Sequence, residues 1–104
     1  MIAFTALSDP TRLRIVEMLG AQQQMAASEI SRQFRMTPSA VSQHLKVLKE
    51  AKLVTAEVRA QQRIYRLNPA GVMEIQGWVQ QLRAQWEARF EALDALLKQE
   101  NMYY

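Results

Sequence analysis

The sequence predicts a mainly α-helical domain with one small β-hairpin, in the order α-α-α-α-β-β-α. Three observations lead to this fold class. Each of the three Pro residues follows a residue that caps helices well, residues 53–67 are rich in β-branched and aromatic side chains, and the last third of the chain carries apolar residues at spacings of three and four. With 104 residues and 49% hydrophobic content, the chain suffices for one domain with a packed core, which we expect over 1–104.

Three dipeptides mark helix starts, each a short polar residue followed by Pro: Asp9-Pro10, Thr37-Pro38 and Asn68-Pro69. The polar side chain accepts a hydrogen bond from an unpaired backbone N–H, and Pro at the next position has no N–H to leave unpaired. The first of these helices is predicted over about 10–20, with Gly20 as its left-handed stop. We expect a loop over 21–25 and then a short helix over about 27–34.

The middle of the chain changes from a helical to a strand pattern. A helix over 38 to about 51 has a narrow apolar stripe, Val41, Leu45 and Leu48, and is otherwise small, polar or basic. Two β-rich segments follow, over about 53–59 and 62–67, and they predict a hairpin. Its tip, Ala60-Gln61, lacks the Gly or Asn of tight turns, so we expect a longer and more mobile loop.

The last helix is predicted over about 69–99, with Gly77 as a candidate joint. Its apolar residues form one stripe, and a helix of about 45 Å is longer than the rest of the chain can cover. Since an exposed stripe of this size is unusual in a monomer, we expect a second copy to cover it. The stripe residues assigned to this homodimer interface are Trp78, Val79, Leu82, Trp86, Phe90, Leu93 and Leu97.

Charge is concentrated in the middle of the chain, where residues 28–66 contain eight basic and three acidic side chains. This pattern fits either a surface that faces a polyanion or an unevenly charged solvated surface. The absence of Cys and the single His exclude disulfides and a structural zinc site, so no metal or cofactor is expected. No membrane span or signal peptide is predicted, and we expect a soluble cytoplasmic protein.

A DNA-binding unit follows from the order of these elements. Residues 35–37 connect two helices at the length of a helix-turn-helix, spanning about 27–51, whose second helix reads the DNA major groove. The hairpin, about 53–67, would be the wing of a winged helix and would place a cation in the adjacent minor groove. The residues predicted to contact double-stranded DNA are Thr37, Ser39, Ala40, Ser42, Gln43 and Lys46 on the helix, and Arg59, Gln61, Gln62 and Arg63 on the wing.

Two segments of the chain, 4–19 and 36–51, contain the motifs Asp-Pro-Thr-Arg (9–12) and Ser-Gln-His-Leu-Lys-Val-Leu (42–48). Together with residues 63–69, they resemble the ArsR/SmtB family of bacterial winged-helix repressors. The resemblance implies a homodimeric, operator-binding repressor that dimerises through its terminal helices, with Phe4 in the interface. It also implies the metal-independent branch, because the paired Cys and last-helix His of the metal sensors are missing. Lys52 and Gln61 replace two Gly residues that are usual in the family.

Other interpretations remain at this level. The alternative function is a winged-helix protein-interaction module that does not bind DNA, and a small-molecule effector is left open. An enzyme has little support, because Ser42 and His44 point about 200° apart on a helix. His44 is expected to be structural or phosphate-facing rather than a switch. Arg12 and Arg14 either reach a phosphate or lie in solvent.

Overall fold

The computed structural model describes residues 2–101, with side chains over 2–99. The elements in this part of the chain are α1 (Ile2–Leu7), α2 (Pro10–Gln22), β1 (Met25–Ala26), α3 (Ala27–Ser31), α4 (Pro38–Glu50), β2 (Val54–Arg59), β3 (Gln62–Leu67) and α5 (Pro69–Asn101). The predicted class is confirmed: four helices precede a hairpin and one long helix follows it. The short strand β1 is an addition that the sequence did not predict.

All three predicted helix starts are capped as expected. The Asp9 carboxylate accepts a hydrogen bond from the Arg12 backbone N–H at 3.0 Å. Thr37 Oγ1 accepts from the Ala40 N–H at 3.1 Å, and Asn68 Oδ1 accepts from the Ala70 N–H at 3.1 Å. The Arg12 N–H also lowers the pKa of the Asp9 carboxyl group below its usual value, because the hydrogen bond favours the ionised form.

The end of α2 differs from the prediction. Gly20 lies inside the helix, which continues to Gln22, and the residue with a positive φ is Gln23, at φ 71°. Ala21 and Gln22 are good helix formers, so nothing local stops the helix at Gly20. The loop expected over 21–25 is therefore also wrong, since Met25 already belongs to β1.

The following helix, α3, is shorter than expected and ends at Ser31 rather than near residue 34. Its start is capped from within the helix, because Glu29 Oε1 accepts a hydrogen bond from the Ala26 N–H at 3.0 Å. This bond is one half of a capping box, the half that a helix can form without a Ser or Thr at the N-cap.

The strands form one antiparallel sheet in the order β1-β3-β2. Arg59 pairs with Gln62, so Ala60 and Gln61 make a two-residue turn, and the longer mobile loop predicted for the tip is wrong. Ala60 takes the positive φ of 56°, whereas Gln61 does not. No Gly is present in this turn. The turn is nevertheless tight, because the β2–β3 pairing extends to Arg59 and Gln62, the residues directly on either side of it.

The connection between α4 and β2 is a tight C-terminal cap. Lys52 has φ 60°, and the Leu53 N–H donates to the Leu48 carbonyl at 3.0 Å while the Lys52 N–H donates to Lys49 at 3.0 Å. This is a Schellman motif with Lys at the position that usually holds Gly. The first turn of α5 packs on it: a Cβ at Gly71 would overlap the Lys52 carbonyl group and lie 3.0 Å from the Leu53 Cα.

The core lies between α1–α4 and the sheet. The predicted α4 stripe is buried there against residues such as Ile15 and Ile30, and the buried residues among those described are all apolar or Tyr. In contrast, α5 runs without interruption past Gly77, so the candidate joint there is wrong. The described chain measures 73 × 26 × 22 Å with a radius of gyration of 20.3 Å, against about 13 Å for a compact chain of this size. The long dimension comes from α5.

Candidate nucleic-acid interface

Helix α4 presents two different faces. Val41, Leu45 and Leu48 are buried in the core. The predicted contact residues lie away from this stripe: Thr37, Ser39, Ser42, Gln43 and Lys46 are exposed, and Ala40 is half-buried. The first two turns therefore offer solvent a surface of hydroxyl, amide and methyl groups, the groups that can approach base edges closely and hydrogen-bond to them.

The rear of α4 is held by a small polar cluster. An Arg12 Nη atom lies 3.3 Å from His44 Nδ1, and the Asp9 carboxylate lies 3.7 Å from the same nitrogen. Arg12 Nε also donates to the Ala6 carbonyl at 2.6 Å. Of the two roles expected for His44, structural or phosphate-facing, these contacts favour the structural one. The Arg12 side chain is already engaged within the protein, because it links α2 to α1 through the Ala6 carbonyl and to α4 through His44.

The wing divides its predicted residues between two faces of the hairpin. Arg59 contacts the Glu57 carboxylate, and one of its Nη atoms donates to Gln24 Oε1 at 3.5 Å. Arg66 donates to the same Gln24 oxygen at 2.7 Å and lies 3.8 Å from Glu57. Glu57 and Gln24 were not among the predicted residues. Alternation along β2 could have placed Glu57 on the face of Arg59, whereas only the antiparallel pairing brings Arg66 and Gln24 there.

Arg63 lies on the other side of β3, the side that carries Tyr65 and faces α4. It lines a groove together with Ser42, so the structure brings these two predicted residues together across the helix and the wing. Gln61 and Gln62 are exposed at the tip and do not line this groove. The candidate interface is therefore one continuous surface only along the α4–β3 side, with Arg59 on the opposite face.

The positive charge of this region is largely uncompensated. Within residues 2–99, no carboxylate lies within 4.0 Å of the cationic groups of the exposed residues Arg32, Arg35, Lys46, Lys49 and Arg63. On α5, by contrast, Arg83 and Lys98 are each paired with an acidic residue one turn away. Unpaired cations gathered around α4 attract a polyanion more strongly than the neutralised pairs of α5 do.

The predicted dimer residues on α5 are exposed, as the long helix leaves the core. Phe4 is half-buried and packs edge-to-face on Trp78 of the same chain, with ring centroids 4.7 Å apart. Trp86 and Phe90 stack on each other at 5.5 Å. From Val79 to the end of the described side chains every residue is exposed, so this apolar stripe has no cover within the described chain.

Among the side chains that the structure describes, no three His, Cys, Asp or Glu residues converge as metal ligands. No helix within residues 2–101 combines the length and the hydropathy needed to cross a bilayer.

Comparison with known proteins finds relatives of this chain among bacterial regulators. The profile of a family described as bacterial regulatory protein, arsR family, matches residues 9–56, which include α2, α3, α4 and the start of β2. The HTH-type transcriptional regulator Rv2034 of Mycobacterium tuberculosis is 46% identical over 70 residues, covering 67% of this chain and 64% of that protein. This chain therefore matches just under two thirds of the length of Rv2034.

Two further relatives extend the similarity. The transcriptional repressor SdpR of Bacillus subtilis is 32% identical over 76 residues, which are 73% of this chain and 83% of SdpR. The solved structure of an ArsR-like transcriptional regulator from Rhodococcus sp. RHA1 superposes with a TM-score of 0.74 at 26% identity, covering 91% of this chain and 89% of that one. These are regulators rather than enzymes. Since the profile matches the helix-turn-helix region and a 32% identical repressor is covered over most of its length, the chain belongs to the ArsR family of bacterial regulatory proteins.

Proposed function

We propose that this protein is a homodimeric transcriptional repressor that binds operator DNA through α4 and the β2–β3 hairpin. The observation that carries the proposal is the division of α4 into a buried apolar stripe and an exposed polar surface at its start. Membership of a family of bacterial regulators supports it. Because a repressor acts on chromosomal DNA, we place the protein in the bacterial cytoplasm.

The residues at the start of α4 have separate roles in this proposal. Gln43 donates to and accepts from adenine in the major groove, and Ser42 hydrogen-bonds to a base or a phosphate. Thr37, Ser39 and Ala40 are small, which allows the helix to approach the bases. Lys46 lies one turn further along and contacts the DNA backbone.

The hairpin supplies the second contact. Arg63 extends the cationic surface from α4, while Arg59, Gln61 and Gln62 reach the adjacent minor groove or its phosphates. We propose that the whole of 1–104 is one unit, with the helix-turn-helix over about 27–51, the wing over about 53–67 and the dimerisation helix over about 69–99.

The dimer is proposed from the uncovered stripe of α5. An apolar stripe this long, exposed on one helix, matches what a second copy would cover, and Phe4 would join it through its contact with Trp78. A two-fold pair of reading helices would contact two half-sites about one DNA turn apart, or a small multiple of that. The operator is therefore expected to be an imperfect inverted repeat.

Selection of bound sequences from a random duplex library tests the proposal directly. We expect recovery of an imperfect inverted repeat, because a symmetric dimer imposes its symmetry on the site. If the recovered pool stays random, sequence-specific binding is disproved, and a protein-interaction module becomes the better description.

A matched pair of Gln variants tests the reading surface. Gln43→Ala should lower the affinity for the selected operator by about 1–3 kcal/mol and leave binding to random duplex nearly unchanged. Gln80→Ala, on the polar side of α5, should change neither affinity. Gel shifts at fixed salt measure both. If Gln43→Ala binds the operator as tightly as the parent, the assignment of the reading surface is wrong.

A second matched pair tests the dimer. Leu82→Lys places a charge in the apolar stripe, whereas Gln80→Lys places the same charge beside it. Light scattering at micromolar concentration should give a monomer for Leu82→Lys and a dimer for Gln80→Lys and the parent. A monomeric parent would contradict the proposed assembly.

A further inference from the structure

A groove of about 410 Å³ lies between α3, the start of α4 and β3. Its floor is apolar and is formed by Pro38, Val41, Leu45 and the ring of Tyr65. Clefts of about 300–1,000 Å³ with an apolar lining and a few polar groups are the usual sites for small ligands. The groove is thus large enough for a small molecule, and its floor would favour an apolar body.

The charge around the groove has one sign. Arg32, directly after α3, and Arg63 of β3 both line it, and no Asp or Glu does. Neither guanidinium is paired with a carboxylate of residues 2–99, although Arg32 Nε donates to the Ser28 carbonyl at 3.3 Å. Two unpaired cations beside an apolar floor complement a molecule that combines an apolar body with a negative group.

Tyr65 provides a third polar group at the groove. Tyr65 is only 4% exposed, and its backbone is fixed between Ala56 of β2 and Met25 of β1. No residue in the described part of the chain hydrogen-bonds to its hydroxyl group. No buried side-chain oxygen of the described residues lacks a partner, so the Tyr65 hydroxyl group reaches solvent, where an external acceptor can take the place of water.

We propose that this groove binds a small organic anion, an aromatic or branched aliphatic carboxylate. The ring or chain lies on Val41, Leu45 and Tyr65, and the carboxylate pairs with Arg63 and accepts a hydrogen bond from the Tyr65 hydroxyl group. Arg32 adds a second positive charge at the rim. The groove would thus recognise the carboxylate and the apolar body together.

Occupation of the groove has a consequence for DNA binding, and this part rests on the proposed function. Ser42 and Arg63 belong both to the groove and to the proposed DNA surface. A carboxylate paired with Arg63 removes the cation from DNA, so the ligand and the operator compete. The groove would then be the site of an inducing ligand.

The binding step is tested without DNA, with 2-naphthoate as the probe. Calorimetry and backbone amide NMR shifts should show binding, with shifts confined to α3, α4 and β3. The neutral 2-naphthamide, which lacks the charge, and acetate, which lacks the ring, should each bind about tenfold more weakly or worse. Equal binding of naphthoate and naphthamide, shifts centred on α5, or no naphthoate binding at millimolar concentration would each overturn the proposal.

Three variants locate the site. Arg63→Gln should weaken naphthoate binding by about tenfold, and Tyr65→Phe by about three- to tenfold. Tyr65→Phe removes only a hydroxyl group without a protein partner, so its thermal unfolding should match that of the parent. Arg59→Gln, on the opposite face of the hairpin, should bind like the parent. An unchanged affinity in both Arg63→Gln and Tyr65→Phe would disprove the assignment.

The competition step is measured separately by titrating 2-naphthoate into a complex of the parent with its selected operator. The apparent Kd for DNA should rise linearly with naphthoate concentration and double at the concentration that half-fills the groove, as mutually exclusive binding requires. An unchanged DNA affinity at saturating naphthoate overturns the competition and leaves the binding site standing. If the parent binds no DNA, the proposed function fails, while calorimetry still decides whether the groove binds the anion.

Discussion

Helices α4 and α5 begin in the same way and bury their apolar stripes differently. Each starts with a capping residue and Pro, and each has apolar residues at spacings of three and four. In α4, Leu48 is fully buried, whereas Trp86 and Phe90 of α5 are 50% and 60% exposed. Periodicity therefore identifies an apolar face without identifying what covers it. α2, α3 and the sheet cover the face of α4, but α5 extends beyond them.

The largest expected difference comes from truncating one Leu in each helix. Leu48→Ala leaves a cavity in a fully packed core and should lower the free energy of unfolding by about 2–5 kcal/mol at any protein concentration. Leu93→Ala lies in the exposed stripe, where the side chain is 51% exposed, and leaves no cavity in the core of this chain. Its cost should appear only where a dimer forms, and should therefore grow with protein concentration. Urea denaturation at two concentrations, a hundredfold apart, separates the two behaviours.

The same measurement has an outcome that would contradict this difference between α4 and α5. If Leu93→Ala destabilises a dilute sample as much as a concentrated one, then α5 is covered by its own chain and the two helices do not differ as described.

Within α5, the two Gly residues distinguish the packed start of the helix from the part beyond it. Gly71→Ala should lower the free energy of unfolding by about 1–3 kcal/mol, because its Cβ meets the Lys52 backbone, which cannot move aside like a flexible side chain. A Cβ added at Gly77 would meet no neighbouring atom within 4 Å. Gly77→Ala should therefore raise the free energy of unfolding by about 0.5–1 kcal/mol, because Ala favours the helix more than Gly does. Thermal unfolding of both variants measures the signs, and equal signs would contradict the packing of the first turn.

The starts of α2 and α4 differ in whether their caps titrate. Asp9→Ala should cost about 1 kcal/mol at neutral pH through the lost cap. Because the pKa of Asp9 is lower in the folded than in the unfolded state, its ionised form stabilises the fold above about pH 4, the ordinary Asp pKa being about 3.9, and this contribution disappears as the pH falls through the folded pKa.

The control for this titration is Asp9→Asn, which keeps an acceptor oxygen at the cap but carries no charge. The stability difference between the parent and Asp9→Asn should shrink on acidification, whereas Thr37→Ala should cost a similar amount at each pH. Urea denaturation across the acid range measures both. A pH-independent difference for Asp9→Asn would show that the charge of Asp9 contributes nothing.

The smallest expected effect is at the C-terminal end of α4. Lys52→Gly should stabilise the fold by up to about 1 kcal/mol, because Gly adopts the positive φ at this position without the steric cost of a Cβ. Lys49→Gly, inside the helix, should destabilise it by about 1 kcal/mol. Thermal unfolding of the pair distinguishes backbone strain from the loss of a Lys side chain, because the latter would move both variants in the same direction.

The predictions from sequence succeeded where the relevant hydrogen bonds join residues close along the chain. The caps at Asp9, Thr37 and Asn68 each involve a residue two or three positions on, and the α4 stripe needs only one helix. They failed where a distant segment decides. Met25–Ala26 is too short to show a strand pattern, and β3 alone makes it a strand. The hairpin turn closed without Gly because the pairing on either side of it holds Ala60 at positive φ.

In the candidate interface, too, the features that depend on local sequence could be predicted and those that depend on distant segments could not. The exposed polar start of α4 could be predicted, since its stripe fixes which side faces the core. The separation of Arg59 from Arg63 required the strand register, which sets one Arg against Glu57 and Gln24 and the other beside α4.

By itself, the sequence determined the helix starts, the two strands of the hairpin and the existence of apolar faces on α4 and α5. These depend on side-chain chemistry within a few residues of each position. Only the tertiary structure decided which face is buried by this chain, where α2 ends, which Arg is neutralised, and that α3, α4 and β3 enclose a groove. Each of these depends on contacts between segments far apart in sequence, and such contacts leave no local pattern to interpret.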